Sequence, residues 1–132
     1  LAANAPKLRA RPAEPVGFDD VARSLAAGTI QRNPKLSGSI CDAIVTPAPG
    51  NLTFPILKAH CGPGVAVSDD EALHAMALAF SRLKIVVEPG GAVALAAALF
   101  HPEATQGEAV IAVASGGNVD TDVFSQALTR FG

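Results

Sequence analysis

Six apolar residues, Ala109 to Ala114, run straight into Ser115-Gly116-Gly117-Asn118. In open α/β sheets, ligands bind at the carboxyl ends of strands, where such a bend would sit. Two glycines let a ligand approach the backbone closely, and Ser and Asn bring donor and acceptor groups. The same four residues also make an ordinary strand–helix turn, with Asn118 or Asp120 as the cap. A second candidate is Glu88-Pro89-Gly90-Gly91-Ala92, a carboxylate ahead of an Ala-rich helix. A helix N-terminus favours negative charge and the glycines allow close packing, so this segment reads equally as a structural start. A third pair is Glu14 and Asp20, which bracket a turn. Two carboxylates and an intervening backbone carbonyl can share a hard cation. Alternatively Asp19 or Asp20 caps a helix and Glu14 is solvated.

The elements that position these residues follow from periodicity and punctuation. Residues 1–5 read as a last helical turn stopped before Pro6. Leu8–Ala13 alternates like a strand that Pro12 pushes to an edge. A helix starts at Phe18-Asp19-Asp20, carries Val21 and Leu25 on its apolar stripe, and closes at Gly28. Ala43-Ile44-Val45 reads as a short buried strand, broken by the Pro- and Gly-rich residues 46–51. Thr53–His60 reads as a short helix and Gly64–Val67 as a strand. Ser68-Asp69-Asp70-Glu71 predicts an N-cap and an acidic first turn for a helix to about Leu83, with Leu73, Met76, Ala77 and Phe80 on one face. Ile85-Val86-Val87 reads as extended, 91–100 as helix and 101–107 as loop. Ala109–Ala114 has the character of a parallel strand buried on both faces, and Asp120–Phe131 closes as a helix. Strands alternating with helices predict an α/β fold: three layers, with a mainly parallel sheet and flanking helices.

Composition narrows the function classes. The 132 residues carry a net charge of −2 and no Lys/Arg cluster, which argues against a nucleic-acid surface. No apolar run approaches the roughly 18 residues of a membrane span. Aromatic residues are 5%, all six of them Phe, while Ala numbers 26, so the core must be built from small aliphatics in close contact. Such faces suit a layered protein, or a piece whose faces are completed by further chain. The chain opens in mid-pattern at Leu1, with no signal-peptide regions, and reads as truncated. Cys41 and Cys61 read as small buried hydrophobes. His60, His74 and His101 are isolated and read as surface or loop residues. No P-loop, dinucleotide fingerprint or nucleophile elbow is present.

Five segments occur together in order: AEPVGFDD (13–20), GSICDAIVTPAPGNLTFPIL (38–57), VSDDE (67–71), KIVVEPGGAVALAAAL (84–99) and VASGGNVD (113–120). With them the chain resembles, from about residue 8 to 131, the C-terminal part of a serine/threonine dehydratase (threonine ammonia-lyase). That enzyme belongs to the fold-type II pyridoxal-phosphate family. The resemblance implies a cofactor-binding wall made of Ser115, Gly116, Gly117, Asn118 and Glu88. Ser115 would hydrogen-bond the pyridine nitrogen, and Glu88 would lie near the ring. It further implies that Glu14, the Phe18 carbonyl and Asp20 bind Mg²⁺ or Ca²⁺. Asp42-Ala43 stands where many relatives carry Asp-Gly.

The lysine that forms the Schiff base, and the glycine-rich phosphate loop, belong to the family's N-terminal half. Lys7, Lys35, Lys58 and Lys84 lack the family's Ser-x-Lys setting, so no catalytic residue is expected in these 132 residues and the fragment alone is expected to be inactive. The implied parent converts L-threonine to 2-oxobutanoate and ammonia, or L-serine to pyruvate. Its expected partners are a small amino-acid substrate, the missing N-terminal part and copies of itself in a homo-oligomer, in the cytoplasm, without nucleic acid or membrane. Serine racemase and hydroxyaspartate ammonia-lyase share these motifs. A free-standing interaction module that keeps the fold without catalysis is a reading from another class.

Overall fold

A computed structural model describes residues 3–132. Its helices follow the punctuation of the sequence. Helix α1 (Asp20–Ala27) stops at Gly28, whose φ of 72° is the left-handed conformation that glycine adopts without strain. Helix α2 (Phe54–His60) takes Pro55 in its first turn, where the missing amide costs nothing. Helix α3 (Asp69–Leu78) begins with a complete capping box. Glu71 Oε2 accepts from the Ser68 amide and hydroxyl, both at 2.8 Å, and Ser68 Oγ accepts from the Glu71 amide at 3.3 Å. A π-type turn, Ala79–Leu83, extends α3 to the expected end. Helix α4 (Pro89–Phe100) is apolar nearly all round, as a central helix must be. Helix α5 (Thr121–Phe131) is amphipathic and is tied to α3 by Arg130 on Asp70 at 2.8 Å.

Between them, β1 (Ala13–Pro15) and β2 (Val65–Val67) pair in parallel, with Ala13 opposite Val65 and Pro15 opposite Val67. The core lies where α3 and α4 meet this pair. Leu73, Met76, Val67 and Val93 are its large buried members, and Ala72, Ala75, Ala92, Ala96 and Ala127 bring the backbones together. Each Ala buries little area, so the stabilisation comes from many close contacts. The architecture is α/β with parallel pairing.

Several local expectations are corrected. Strand β1 lies at 13–15, and of 8–12 only Ala10 bridges, to Cys61. Ala43-Ile44-Val45 is not a strand. The Ile44 amide bonds the Cys41 carbonyl and the Val45 amide the Asp42 carbonyl, which closes a 3₁₀ turn over Asp42–Ile44 with Ala43 exposed. Ala3 and Asn4 form a turn, not helix, and the first two residues of that expected helix lie outside the described residues. On α3, Leu73, Met76 and Ala77 are buried, but Phe80 is half-exposed against the edge of Phe124.

The largest correction concerns Ala109–Ala114, which forms no ladder among the described residues. Ile111 is 78% exposed and Val113 67%. A parallel strand acquires its buried faces only when neighbours pair on its sides, and this run has none. Instead it forms one bank of an open groove of about 940 Å³, with Ala10–Ala13 on the other side and Ala94, Ala97 and Ala98 of α4 beneath. Ile85 and Val86 are likewise exposed and unpaired.

Replacing Ser68 with Ala removes the cap of the helix that carries the core. The expected loss is about 1 kcal/mol of stability, read as a lower denaturant midpoint at unchanged slope.

Candidate functional site

The start of α4 and the Ser115–Asn118 bend interlock. The Glu88 amide donates to the Gly116 carbonyl at 3.0 Å, and the Val119 amide donates to the Gly117 carbonyl at 3.1 Å. The approach is so close that side chains are excluded. A Cβ on Gly91 would stand 2.6 Å from the Gly116 oxygen, and one on Gly117 would stand 2.7 Å from the Val86 oxygen. A Cβ on Gly116 would collide with the Glu88 carboxylate. Segments 88–92 and 115–118, legible in the sequence as separate candidates, are thus one structure. Ser115 and Asn118 stand exposed at its rim. The Ser115 hydroxyl makes no hydrogen bond among the described residues, while Glu88 is half-buried beside Gly116. The groove runs along 109–113 and stops short of Ser115.

A free hydroxyl at the end of an extended run can donate to, or accept from, an aromatic ring nitrogen. That exposed hydroxyl suits the ring nitrogen of pyridoxal phosphate chemically, while the glycines beside it are spent on packing against Glu88 and Val86.

Glu14 and Asp20 have definite partners. Helix α1 has no side-chain cap from Asp19. Instead Glu14 reaches across the turn and accepts from the amides of Val21 at 3.0 Å and Ala22 at 2.8 Å. It therefore satisfies the first turn and complements the helix dipole. Burial pushes the Glu14 carboxyl above its ordinary range; the two amides oppose that rise, and the nearby charges of Asp20 and Asp19 add to it. Asp20 is 1% exposed and accepts from Asn33 Nδ2 at 2.6 Å. Asn33 also donates to the Thr46 carbonyl at 2.8 Å and accepts from Arg23, so the network ties α1 to the following loop. The donor set of two carboxylates and the Phe18 carbonyl is hard oxygen, the chemistry Mg²⁺ and Ca²⁺ require. Among the described residues no three His, Cys, Asp or Glu side chains converge on a metal position.

The histidines are more engaged than their spacing suggests. His74 stacks between Phe100 and Phe131, with ring centroids 4.9 Å away on each side. His101 lies between two carboxylates, Nε2 at 3.2 Å from Glu71 and Nδ1 at 3.0 Å from Glu103. Burial pushes the Glu71 carboxyl up, but hydrogen bonds from Ser68 and the presence of His101 hold it below the usual range. The signal for both was three-dimensional: His74 sits in α3, and Phe100 and His101 close α4. Cys41 is buried, which pushes its thiol up to about 11, whereas Cys61 is partly exposed.

The fold agrees with comparisons to known proteins. Residues 1–116 match the pyridoxal-phosphate-dependent enzyme family, and the chain belongs to it. It is 40% identical to a serine racemase of Dictyostelium discoideum over 126 residues, covering 93% of this chain and 39% of the racemase. It is also 40% identical to a beta-hydroxyaspartate dehydratase of Paracoccus denitrificans over 124 residues, covering 92% of this chain and 38% of that enzyme. The crystal structure of a threonine deaminase from T.th. superposes with a TM-score of 0.79 at 36% identity, over 90% of this chain and 40% of the deaminase. The chain therefore spans about two fifths of the length of these relatives.

The Glu14 geometry gives a signed pH effect. Its folded carboxyl holds a proton to higher pH than the unfolded one, whose ordinary value is 4.5. Just above that value the folded state binds more protons, so stability falls as pH rises through this window. Glu14→Gln removes the titration, and its melting temperature is expected to decline less over the same window than that of the native protein.

Proposed function

We propose that this chain supplies one wall of a pyridoxal-phosphate enzyme that acts on small 3-hydroxy amino acids. The reaction class is elimination of the hydroxyl as water, after which a water adds to the resulting imine and ammonia leaves, so the net loss is ammonia alone. L-threonine then gives 2-oxobutanoate and L-serine gives pyruvate. The observation that supports this reading is the free Ser115 hydroxyl, at the first residue of a bend that the bond from the Glu88 amide to the Gly116 carbonyl fixes to the start of α4.

When bound, the cofactor supplies an electron-withdrawing ring that weakens bonds at the substrate α-carbon. Ser115 would offer its hydroxyl to the ring nitrogen. Unlike a carboxylate, a hydroxyl does not stabilise a proton on that nitrogen as an ion pair, so the ring remains a moderate electron sink. That suits departure of a β-hydroxyl without a long-lived carbanion. Gly116 and Gly117 let the bend pack directly on Glu88 and Val86, Asn118 would offer an amide at the rim, and Glu88 would place a carboxylate beside the bend. The cofactor-anchoring lysine and the phosphate loop are assigned to the rest of the polypeptide, as is the strand that fills the groove between 10–13 and 109–113. On this reading the 132 residues alone are inactive, and the working protein is an oligomer.

A second reading within the family is racemisation of serine, favoured by the 40% identity to the Dictyostelium racemase. Assay of the full-length protein with pyridoxal phosphate separates the two. L-threonine, L-serine and L-threo-3-hydroxyaspartate are offered, 2-oxoacid is measured, and D-serine is resolved by chiral chromatography. The dehydratase reading expects 2-oxoacid from at least one substrate in excess of any D-serine; the racemase reading expects the reverse. Ser115→Ala is expected to lower turnover by at least tenfold while cofactor absorbance persists, and undiminished turnover removes Ser115 from the site.

We also propose that Glu14, the Phe18 carbonyl and Asp20 hold Mg²⁺ or Ca²⁺ in the whole protein. The hard-oxygen donors brought to one turn support this, and burial with the nearby Asp20 charge raises the cost of an ionised Glu14, which a cation would offset. Millimolar metal is expected to raise the melting temperature, and a chelator to reverse the rise. An unchanged melting temperature overturns the proposal.

A further inference from the structure

We infer that Gly91 is a positioning residue for the site, a role that rests on the cofactor-wall reading of Ser115 and adds to it. Two adjacent glycines occupy the first turn of α4, and their surroundings differ. A Cβ on Gly90 would meet Ile44 side-chain carbons at 3.5 Å and the Ala43 Cβ at 3.6 Å. Those are ordinary contacts with side-chain carbons. A Cβ on Gly91 would lie 2.6 Å from the Gly116 oxygen and 2.9 Å from the Gly116 nitrogen. Both are backbone atoms, with no rotamer to yield, and the oxygen is the one that accepts the Glu88 amide.

Local helix preference predicts the opposite of what this geometry demands. Gly→Ala in a helix is intrinsically favourable at either position. At Gly90 nothing opposes that gain. At Gly91 the methyl must push the bend off the helix start or break the Glu88–Gly116 bond. The bend carries Ser115 as its first residue, so the hydroxyl moves with it. The displacement is on the order of 1 Å, which at a reacting site costs about a hundredfold in rate. Gly91 touches no substrate; it acts through Gly116 on Ser115.

The test uses the full-length protein with Gly90→Ala, Gly91→Ala, Ser115→Ala and the Gly91→Ala/Ser115→Ala double variant. Gly90→Ala is expected to keep native turnover and to melt at or above the native temperature. Gly91→Ala is expected to bind cofactor and to lose about a hundredfold in kcat with little change in KM. Adding Ser115→Ala to it is expected to cost much less than in the native background, because both changes disable the same contact. Amide exchange at Glu88 gives a readout independent of activity. It is expected to be slow in the native and Gly90→Ala proteins and markedly faster in Gly91→Ala.

If Gly91→Ala behaves as Gly90→Ala while Ser115→Ala is impaired, the positioning role is wrong and the cofactor wall stands. If Ser115→Ala is itself unimpaired, the cofactor wall fails. Should Gly91→Ala not fold, the native protein still decides: a Glu88 amide that exchanges at the rate of open chain overturns the inference.

Discussion

One hydrogen bond organises the functional end of this molecule, from the Glu88 amide to the Gly116 carbonyl. A helix N-terminus always has amides without helical partners, and something must accept from them. Here the acceptor is the bend that follows Ala109–Ala114, not a side chain, since α4 has no side-chain cap. The bond therefore satisfies α4 and fixes the bend at once. It joins residues far apart in the chain, and it forms only because Gly91, Gly116 and Gly117 leave backbone against backbone. The position of Ser115 is inherited from α4, and α4 is placed by the core.

That core is built from Ala to a degree that constrains its neighbours. Leu73, Met76 and Val93 fill the α3–α4 contact, but much of the remaining interface is methyl against methyl. Small side chains stabilise only when the helices are close, because each contact is weak and falls off steeply with distance. Close helices are also stiff, which a site dependent on sub-ångström placement needs. Around this rigid centre the edges are open. Ala94 and Ala98 of α4 face the groove instead of a packed layer, and Ile111 and Val113 face outward. Helix α4 thus gives one face to the packed seam with α3 and another to the open groove.

What the sequence disclosed follows the range of the interactions. Helix ends depend on neighbours within four residues, and Ser68 with Glu71, Gly28 and Pro55 marked them legibly. Strands depend on partners elsewhere. The β2 pattern became a strand because β1 lies beside it, while Ala109–Ala114, with a stronger strand pattern, has no flank to pair with among the described residues. Ala43–Val45 lacked even the environment, since Ala43 is exposed and its segment closes into a 3₁₀ turn. Among the site residues, Glu88 and the 115–118 bend were visible as types, but their union was not, because it rests on steric room at Gly91. In the sequence Glu14 fits a ligand or a solvated charge equally, and its bond to two α1 amides needs the fold of the 15–19 turn. The absent side-chain cap at Asp19 is the trace such an acceptor leaves.

The division of labour also bears on how proteins with different names resemble this chain so evenly. The racemase and the hydroxyaspartate dehydratase are each 40% identical to it, and the threonine deaminase is 36% identical. On the proposed reading these 132 residues set the electronics at the ring nitrogen and the seat of the bend. Neither requirement distinguishes removal of a hydroxyl from inversion at the α-carbon, since both start by weakening a bond at that carbon. The choice depends on what stands on the substrate's faces: a proton donor on the far side favours inversion, and an acid near the hydroxyl favours its loss. In this wall the ionisable side chain at the bend is Glu88, and its carboxylate faces Gly116. A wall committed to holding its own backbone has little left with which to choose between the reactions, so the discrimination falls to residues that approach the substrate from other directions.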